Sequence, residues 1–412
     1  NTTADNNTAL GYTALLLNTT GTANVAIGSA SLDANTTGSN NVGVGRNTLG
    51  QNTTGIRNTA VGHGALDANT TANNNIAIGY HTMVANTTGL NNVAVGVEAL
   101  DANTTGNNNV ALGINALSAN TTAEANTAVG TNALMVNTTG TQNVAVGQGV
   151  LDANTTANNN AALGYNAMTS NTTGASNVAM GTSALQLNTT GANNTAVGFD
   201  AGSSITTGGH NVCLGRRAGE DITTGQYNVC IAGDQAADGL TTGGFNTYMG
   251  YKTNASASDV TGEIVIGAGN NNHTGKGTNT GFITPNAGGV FQGNNSSSWS
   301  TTSDKRIKKN IADNNDGLKK INQIQVRNFE YRTLDEIVDF NEPKSAVVNK
   351  DGIQLGVIAQ EIETILPDVV TEESTGVKTV NTDNITWYLV NAVKELSTQV
   401  DELKAEIKTL KG

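Results

Sequence analysis

Asn-Thr-Thr begins at Asn1 and returns at Asn18, Asn35, Asn52, Asn69, Asn86, Asn103, Asn120, Asn137, Asn154, Asn171 and Asn188, always 17 residues apart. The register runs on through Ile205 and Ile222, each followed by Thr-Thr, and returns once more after 18 residues at Leu240. The unit reads N-T-T-G-x-x-N-V-A-V-G-x-x-A-L-x-x, and its eleventh position is Gly in every copy from Gly11 to Gly215. A period this strict makes each unit one stacked copy of the same small structure. Seventeen residues are too few for a helical pair, which takes ~33 or more. The core of the unit, as in Asn24-Val25-Ala26-Ile27-Gly28, alternates like a short strand. Its glycine suits a turn that excludes a Cβ. At about 3.3 Å per residue the unit closes one rung of roughly 55 Å perimeter. The fold expected is a parallel β-solenoid or β-roll, with rungs ~4.8 Å apart and a length of roughly 70 Å. Equivalent residues then stack in columns, where Asn amides and Thr hydroxyls can hydrogen-bond along the stack.

Charge divides the chain. Residues 1–250 hold 12 acidic and 4 basic side chains and no lysine, whereas residues 303–412 hold 19 acidic and 15 basic ones. The formal net charge of −12 argues against nucleic acid as a partner, which requires a basic footprint. No run approaches ~18 apolar residues, so no membrane insertion is expected. The chain begins inside a repeat, without Met or signal peptide, so an N-terminal attachment region is expected to precede it.

Candidate chemistry in the repeats is sparse. Cys213 and Cys230 share the ninth position of neighbouring units, where the earlier copies carry Ala or Gly. Two thiols packed in a small-residue column are expected; a disulfide also fits that separation, and a metal would need more ligands. The four histidines, His63, His81, His210 and His273, fall at unlike repeat positions, and exposed turns are expected for them. Asp33, Asp67 and Asp101 share one repeat position and read as stacked turn residues, not as the flanking carboxylate pair of a glycosidase. No metal and no cofactor is expected.

The repeat decays from Tyr251, and residues 251–302 read as a capping or connecting region with a strand candidate at Glu263-Ile264-Val265-Ile266. Composition then changes within a few residues at Ser303-Asp304-Lys305-Arg306-Ile307-Lys308-Lys309-Asn310-Ile311. Leu318, Ile321 and Ile324 have helical spacing, Val326 to Tyr331 is strand-like, and Gly356-Val357-Ile358-Ala359-Gln360-Glu361 leads on to Leu366-Pro367. Over 385–411, Leu389, Val393, Leu396, Val400, Leu403, Ile407 and Leu410 alternate 4 and 3 apart, the seam of a coiled coil.

The N-V-A-V-G core with its A-L flank resembles the head repeats of trimeric autotransporter adhesins and the N-T-T-G repeats of phage tail fibres. That resemblance covers about 1–250 and implies a trimeric β-roll. The S-D-x-R-x-K-x-N-I start, the G-V-I-A-Q-E centre, the L-P and the A-V-K-E-L helix resemble the intramolecular chaperone domain of phage tailspikes and tail fibres, the endosialidase-type or peptidase S74 domain. It spans 303–412 and implies a small α+β domain that trimerises its parent fibre and then cuts itself off.

By that resemblance Ser303 is the nucleophile, attacking the carbonyl of Thr302, and Lys308 is its partner. A serine hydroxyl needs a base to take its proton, and a lysine serves only where burial or a nearby cation lowers its pKa. Asp304 and Asn310 match the opening motif and are candidates for positioning the pair. Ser303 and Asp304 also suit a helix N-cap, and 303–412 contains no His, which excludes a Ser-His-Asp triad within it. The whole chain is expected to be mostly β: a homotrimeric fibre on a virion tail or cell surface, with a cell-surface receptor or glycan as further partner. Its serine–lysine autoprotease would act once in cis, with no turnover. The alternatives are a bacterial surface adhesin or an ice-binding solenoid with an uncleaved trimerisation domain.

Overall fold

A computed structural model of the chain describes residues 3–285, 290–292, 299–301, 305–337, 351–372 and 377–411. It divides into two compact units, Asn1–Thr302 and Ser303–Gly412.

The first unit is a parallel β-solenoid of about sixteen turns, which at ~4.8 Å per rung makes a rod of roughly 75 Å. Each turn contributes a three-residue strand such as Val25–Ile27, paired in parallel and in register with the strand one unit away, Val42–Val44. The middle residue points inward and is small, as Ala26, Ala60 and Ala77 are, because a second column already fills the cross-section. That column is Leu32, Leu49, Leu66 and their successors, all fully buried. These leucines adopt left-handed backbone, φ +53° at Leu66, which costs roughly 1–2 kcal/mol each. Burial of the side chain, about 1.5–3 kcal/mol, offsets it.

Two columns of buried asparagine replace much of the apolar core. Asn35 Nδ2 donates to Asn18 Oδ1 one rung back (2.8 Å) and to the Gly38 carbonyl of its own turn (3.0 Å). In the second column the Asn41 N–H donates to Asn24 Oδ1 (3.0 Å), while Asn24 Nδ2 donates to the Gly38 carbonyl (2.9 Å). Of each Thr pair from Thr36 onward the first is half-buried and its hydroxyl donates across the rung gap, as Thr36 Oγ1 does to the Thr53 carbonyl (3.0 Å), and the second is exposed. Gly113 shows why the eleventh position excludes other residues. Its φ is +139°, and a Cβ there would lie 2.5 Å from the Gly130 carbonyl oxygen.

Three departures from the unit have local causes. The single 18-residue interval is a β-bulge: Leu214 pairs with Ile231, but Arg216 pairs with Asp234. Near the end of the regular repeats the leucine position becomes Gly202 and Gly219, and the first asparagine becomes Ile205 and Ile222. A Cβ on Gly202 would lie 3.0 Å from Ile205 Cδ1, so the isoleucine occupies the volume that a leucine fills elsewhere. Beyond Tyr251 the motif is gone, yet Ile264–Ala268 and Gly281–Pro285 continue the parallel column at 17-residue spacing. Antiparallel Val290–Gln292 and Trp299–Thr301 then end it.

The expectation of four exposed, scattered histidines needs correction. His273 is buried in the short strand His273–Thr274. His63 and His81 are half-buried and stack with Tyr80, the two imidazoles 5.3 Å apart. Unlike repeat positions meet because the left-handed turn at His81 swings its ring back over Gly64 in the preceding rung. Cys213 and Cys230 are register partners, buried and free. The neighbouring Cys213 thiol and burial together push the Cys230 thiol well up. Gly50 lies between Asp33 and Asp67, and burial, then the Asp33 charge, raise the Asp67 carboxyl.

The second unit is α+β. Two short antiparallel pairs, Arg327–Phe329 with Gln354–Gly356 and Val370–Glu372 with Lys378–Val380, accompany helices α1 (Leu318–Ile321), α2 (Ala359–Glu363) and α3 (Thr382–Lys411). Its core is small: Ile362, Leu366, Val369 and Tyr388, with Ile321, Ile324, Val357 and Ile385 against them.

Candidate functional site

The opening of the second unit carries the residues that the sequence singles out. Lys305–Ile307 is a single 3-10 turn, closed by the Lys308 N–H donating to the Lys305 carbonyl (3.2 Å). The backbone then leaves helical geometry, and Asn310 takes a left-handed conformation, φ +55°, which Asn tolerates better than most residues. Lys305, Arg306, Lys308, Lys309 and Asn310 are all exposed. Thr302, Ser303 and Asp304 lie outside the described residues. A lysine becomes a general base when desolvation removes its charge.

The scaffold behind this turn is held at named points. Glu361, from the G-V-I-A-Q-E segment, pairs with Arg327 through two bonds, Nη2–Oε1 2.9 Å and Nε–Oε2 3.2 Å, tying α2 to the first hairpin. The exposed pair is screened by water and adds little stability, but its fork geometry fixes orientation. Ile362, next in the segment, is buried. Helix α3 closes over Gly317, where a Cβ would lie 2.7 Å from the Ala392 nitrogen. Glu395 Oε2 accepts from the Leu318 N–H (3.0 Å) and Asn391 Nδ2 donates to the Asn314 carbonyl (2.7 Å).

These contacts leave a cavity of ≈ 230 Å³ lined by Asn314, Asp368, Asn384, Trp387, Tyr388 and Asn391. The Tyr388 hydroxyl donates to Asp368 Oδ2 (2.8 Å), and burial together with that bond raises the phenol's pKa. Sequence reasoning missed this cavity. It joins residues from 314, 368 and the 384–391 stretch, and no spacing motif links segments so far apart. Past Ala392 every α3 residue except the half-buried Glu395 is exposed, Leu396, Val400, Leu403, Ile407 and Leu410 among them.

Among the described residues no group of three or more His, Cys, Asp and Glu could hold a metal ion. No helix among them is long and apolar enough to cross a membrane.

Fold and geometry together define a class: a β-solenoid rod followed by a separate small α+β unit with a long exposed terminal helix. Residues 303–371 match the family model of the chaperone of endosialidase, peptidase S74. The match starts at Ser303 and takes in the opening turn, the Arg327–Glu361 pair and the start of the second hairpin. No curated protein and no solved structure matches the chain.

Proposed function

We propose that the chain is one strand of a homotrimeric attachment fibre of the phage tail or cell surface. Its C-terminal unit aligns three copies and then cuts the chain between Thr302 and Ser303. One observation carries the reading: both units present long apolar surfaces that a single copy leaves uncovered. Along the rod the outward strand positions are mostly Val, Ile, Leu or Met, with Ile27, Ile78, Leu112, Val144, Leu163 and Met180 exposed. A continuous apolar stripe of this length marks an interface, and a surface with the same ~4.8 Å period matches it along its whole length. Another copy of the rod is such a surface. On α3 the seam from Leu389 to Leu410 is exposed at coiled-coil spacing.

Trimerisation gives the cleavage its timing. Lys308 is exposed in one chain, and a neighbouring copy supplies the desolvation that makes it a base for Ser303. Asp304 and Asn310 hold the segment in place. The test is light scattering and denaturing electrophoresis of the expressed chain beside Ser303→Ala and Lys308→Ala. Three copies per particle are expected for all three proteins, with a released 303–412 fragment from the parent alone. An intact parent band after folding removes self-cleavage; a monomer removes the fibre reading.

A further inference from the structure

The sixth position of every rung is a left-handed turn on the rod surface, with φ between 57° and 61° from Asn6 to Asn193. Asn holds it in most of those rungs, as expected of the non-glycine residue best suited to that backbone. In three successive rungs the turn carries a ring instead: His210, Tyr227 and Phe245, at φ 60°, 58° and 60°. The rings stack in a column, centroids 4.6 and 4.9 Å apart and planes within 8° of parallel. They bury little, with Tyr227 46% and Phe245 65% exposed. Ring stacking offsets part of the backbone cost, but the fold is served by Asn, Ala, Ser, Gln or Arg, none of them a ring, in the earlier rungs. Bulky residues held in an unfavourable conformation at the surface point to a function outside folding.

The surroundings narrow the ligand. One rung beyond Phe245 the position is Gly262, so that rung lays no side chain of its own over the phenyl ring, and the Asn279 amide of the following rung reaches to within 2.6 Å of where a Gly262 Cβ would stand. Beside the rings run the exposed hydroxyls of Thr207, Thr224 and Thr242 and the exposed amide of Gln226. From the third to the sixth position of these three rungs there is no Asp, Glu, Lys or Arg, and the next rung carries one charge there, the exposed Asp259. An uncharged aromatic face bordered by hydroxyls and an amide complements a sugar ring, which has apolar C–H faces and a hydroxyl rim. A polyanion would call for basic groups. A protein partner would call for more area than three rings offer.

We propose that the His210–Tyr227–Phe245 column is a binding platform for neutral carbohydrate, with the Phe245 face on the Gly262 side as the main stacking surface. The proposal rests on reading the rod as an attachment fibre and gives that reading a ligand class. The test uses the full chain against immobilised neutral hexasaccharides of glucose, mannose, galactose and N-acetylglucosamine. At least one should retain the parent and be competed by the free sugar. Phe245→Leu, which keeps an apolar side chain without a ring, and Tyr227→Ala should each weaken retention tenfold or more. Gly262→Asn, whose Cβ displaces the Asn279 amide 2.6 Å away and whose own amide then lies over Phe245, should do the same without altering a ring. Tyr165→Ala, an exposed ring outside the column, should leave retention unchanged. A parent that no hexasaccharide retains, or retention indifferent to Phe245→Leu and Gly262→Asn, overturns the proposal. Particle mass and release of 303–412, read on the same samples, report separately on the assembly reading.

Discussion

Gly202 and Ile205 exchange the roles that a leucine and an asparagine hold in the rungs before them. Asn188 is the last member of the first asparagine column, and its Oδ1 is buried without a hydrogen-bond partner because Ile205 has no amide to offer. Leaving such an acceptor unmet costs about 1–3 kcal/mol. Filling the space above Gly202 recovers a similar amount of apolar burial. The two positions are therefore expected to be coupled. Ile205→Asn alone supplies the donor but opens a void beside Gly202, and Gly202→Leu alone collides with Ile205 Cδ1. Each should destabilise the rod by about 2 kcal/mol or more. The double substitution rebuilds the regular rung and should return to within about 1 kcal/mol of the parent. Urea melts of the four proteins measure the cycle; additive effects would show that the two sites are independent.

Among the elements, α3 is the least satisfied by its own chain. Only Tyr388 and Ala392 of its 30 residues are buried. A helix this long with an exposed apolar seam is stabilised by neighbours and not by propensity alone. Val400→Asp in the full chain places a charge mid-seam, past Asn391 and Glu395, through which α3 bonds to the Asn314 carbonyl and the Leu318 N–H. We expect loss of the uniform trimer by light scattering, and with it loss of the cleaved fragment, while the far-ultraviolet β signal of the rod persists. A trimer unchanged by Val400→Asp would show that the seam is not an interface. The seam was legible because its period is written in residue types. So were the rungs, since 17-residue spacing and a V-A-V core admit few foldings. The conformations between strands were not legible. Leucine is a poor left-handed residue, and nothing local announces that Leu66 takes φ +53°; the demand comes from the column above and below it. The meeting of His63 with His81 was hidden for the same reason. Of the candidate site, Lys308 and Asn310 could be located, whereas the cavity beside Tyr388 depends on contacts across more than 70 residues.

The molecule as a whole is modular in one half only. Deleting residues 103–119 removes one complete unit and joins two ordinary ones. Such a chain should fold and assemble like the parent and be shorter by ~4.8 Å in solution scattering. Deleting nine residues from the same place should abolish the fold, because half a rung puts inward residues outside. If both deletions behave alike, the units are not interchangeable rungs. Interchangeability also brings a hazard. Where rungs are alike, two rods offset by one unit lose only the contacts of one rung among about sixteen. Register along the stripe is thus weakly specified by the rods themselves. A separate unit of ordinary composition, with unlike elements and a terminal helix, has one way to align.

The first asparagine column has a direction. Every amide points its donor toward the N-terminal neighbour, from Asn35 onto Asn18 to Asn188 onto Asn171. An incomplete rod therefore ends in an open acceptor on its C-terminal side and an open donor on the other, and each arriving rung is read by the one before it, as a monomer is read by the tip of a growing polymer. Hydrogen bonds aligned in a chain strengthen one another, so elongation grows easier as the column lengthens. Ile205, which can neither donate nor accept through its side chain, ends that column, while the second asparagine column runs on to Asn246.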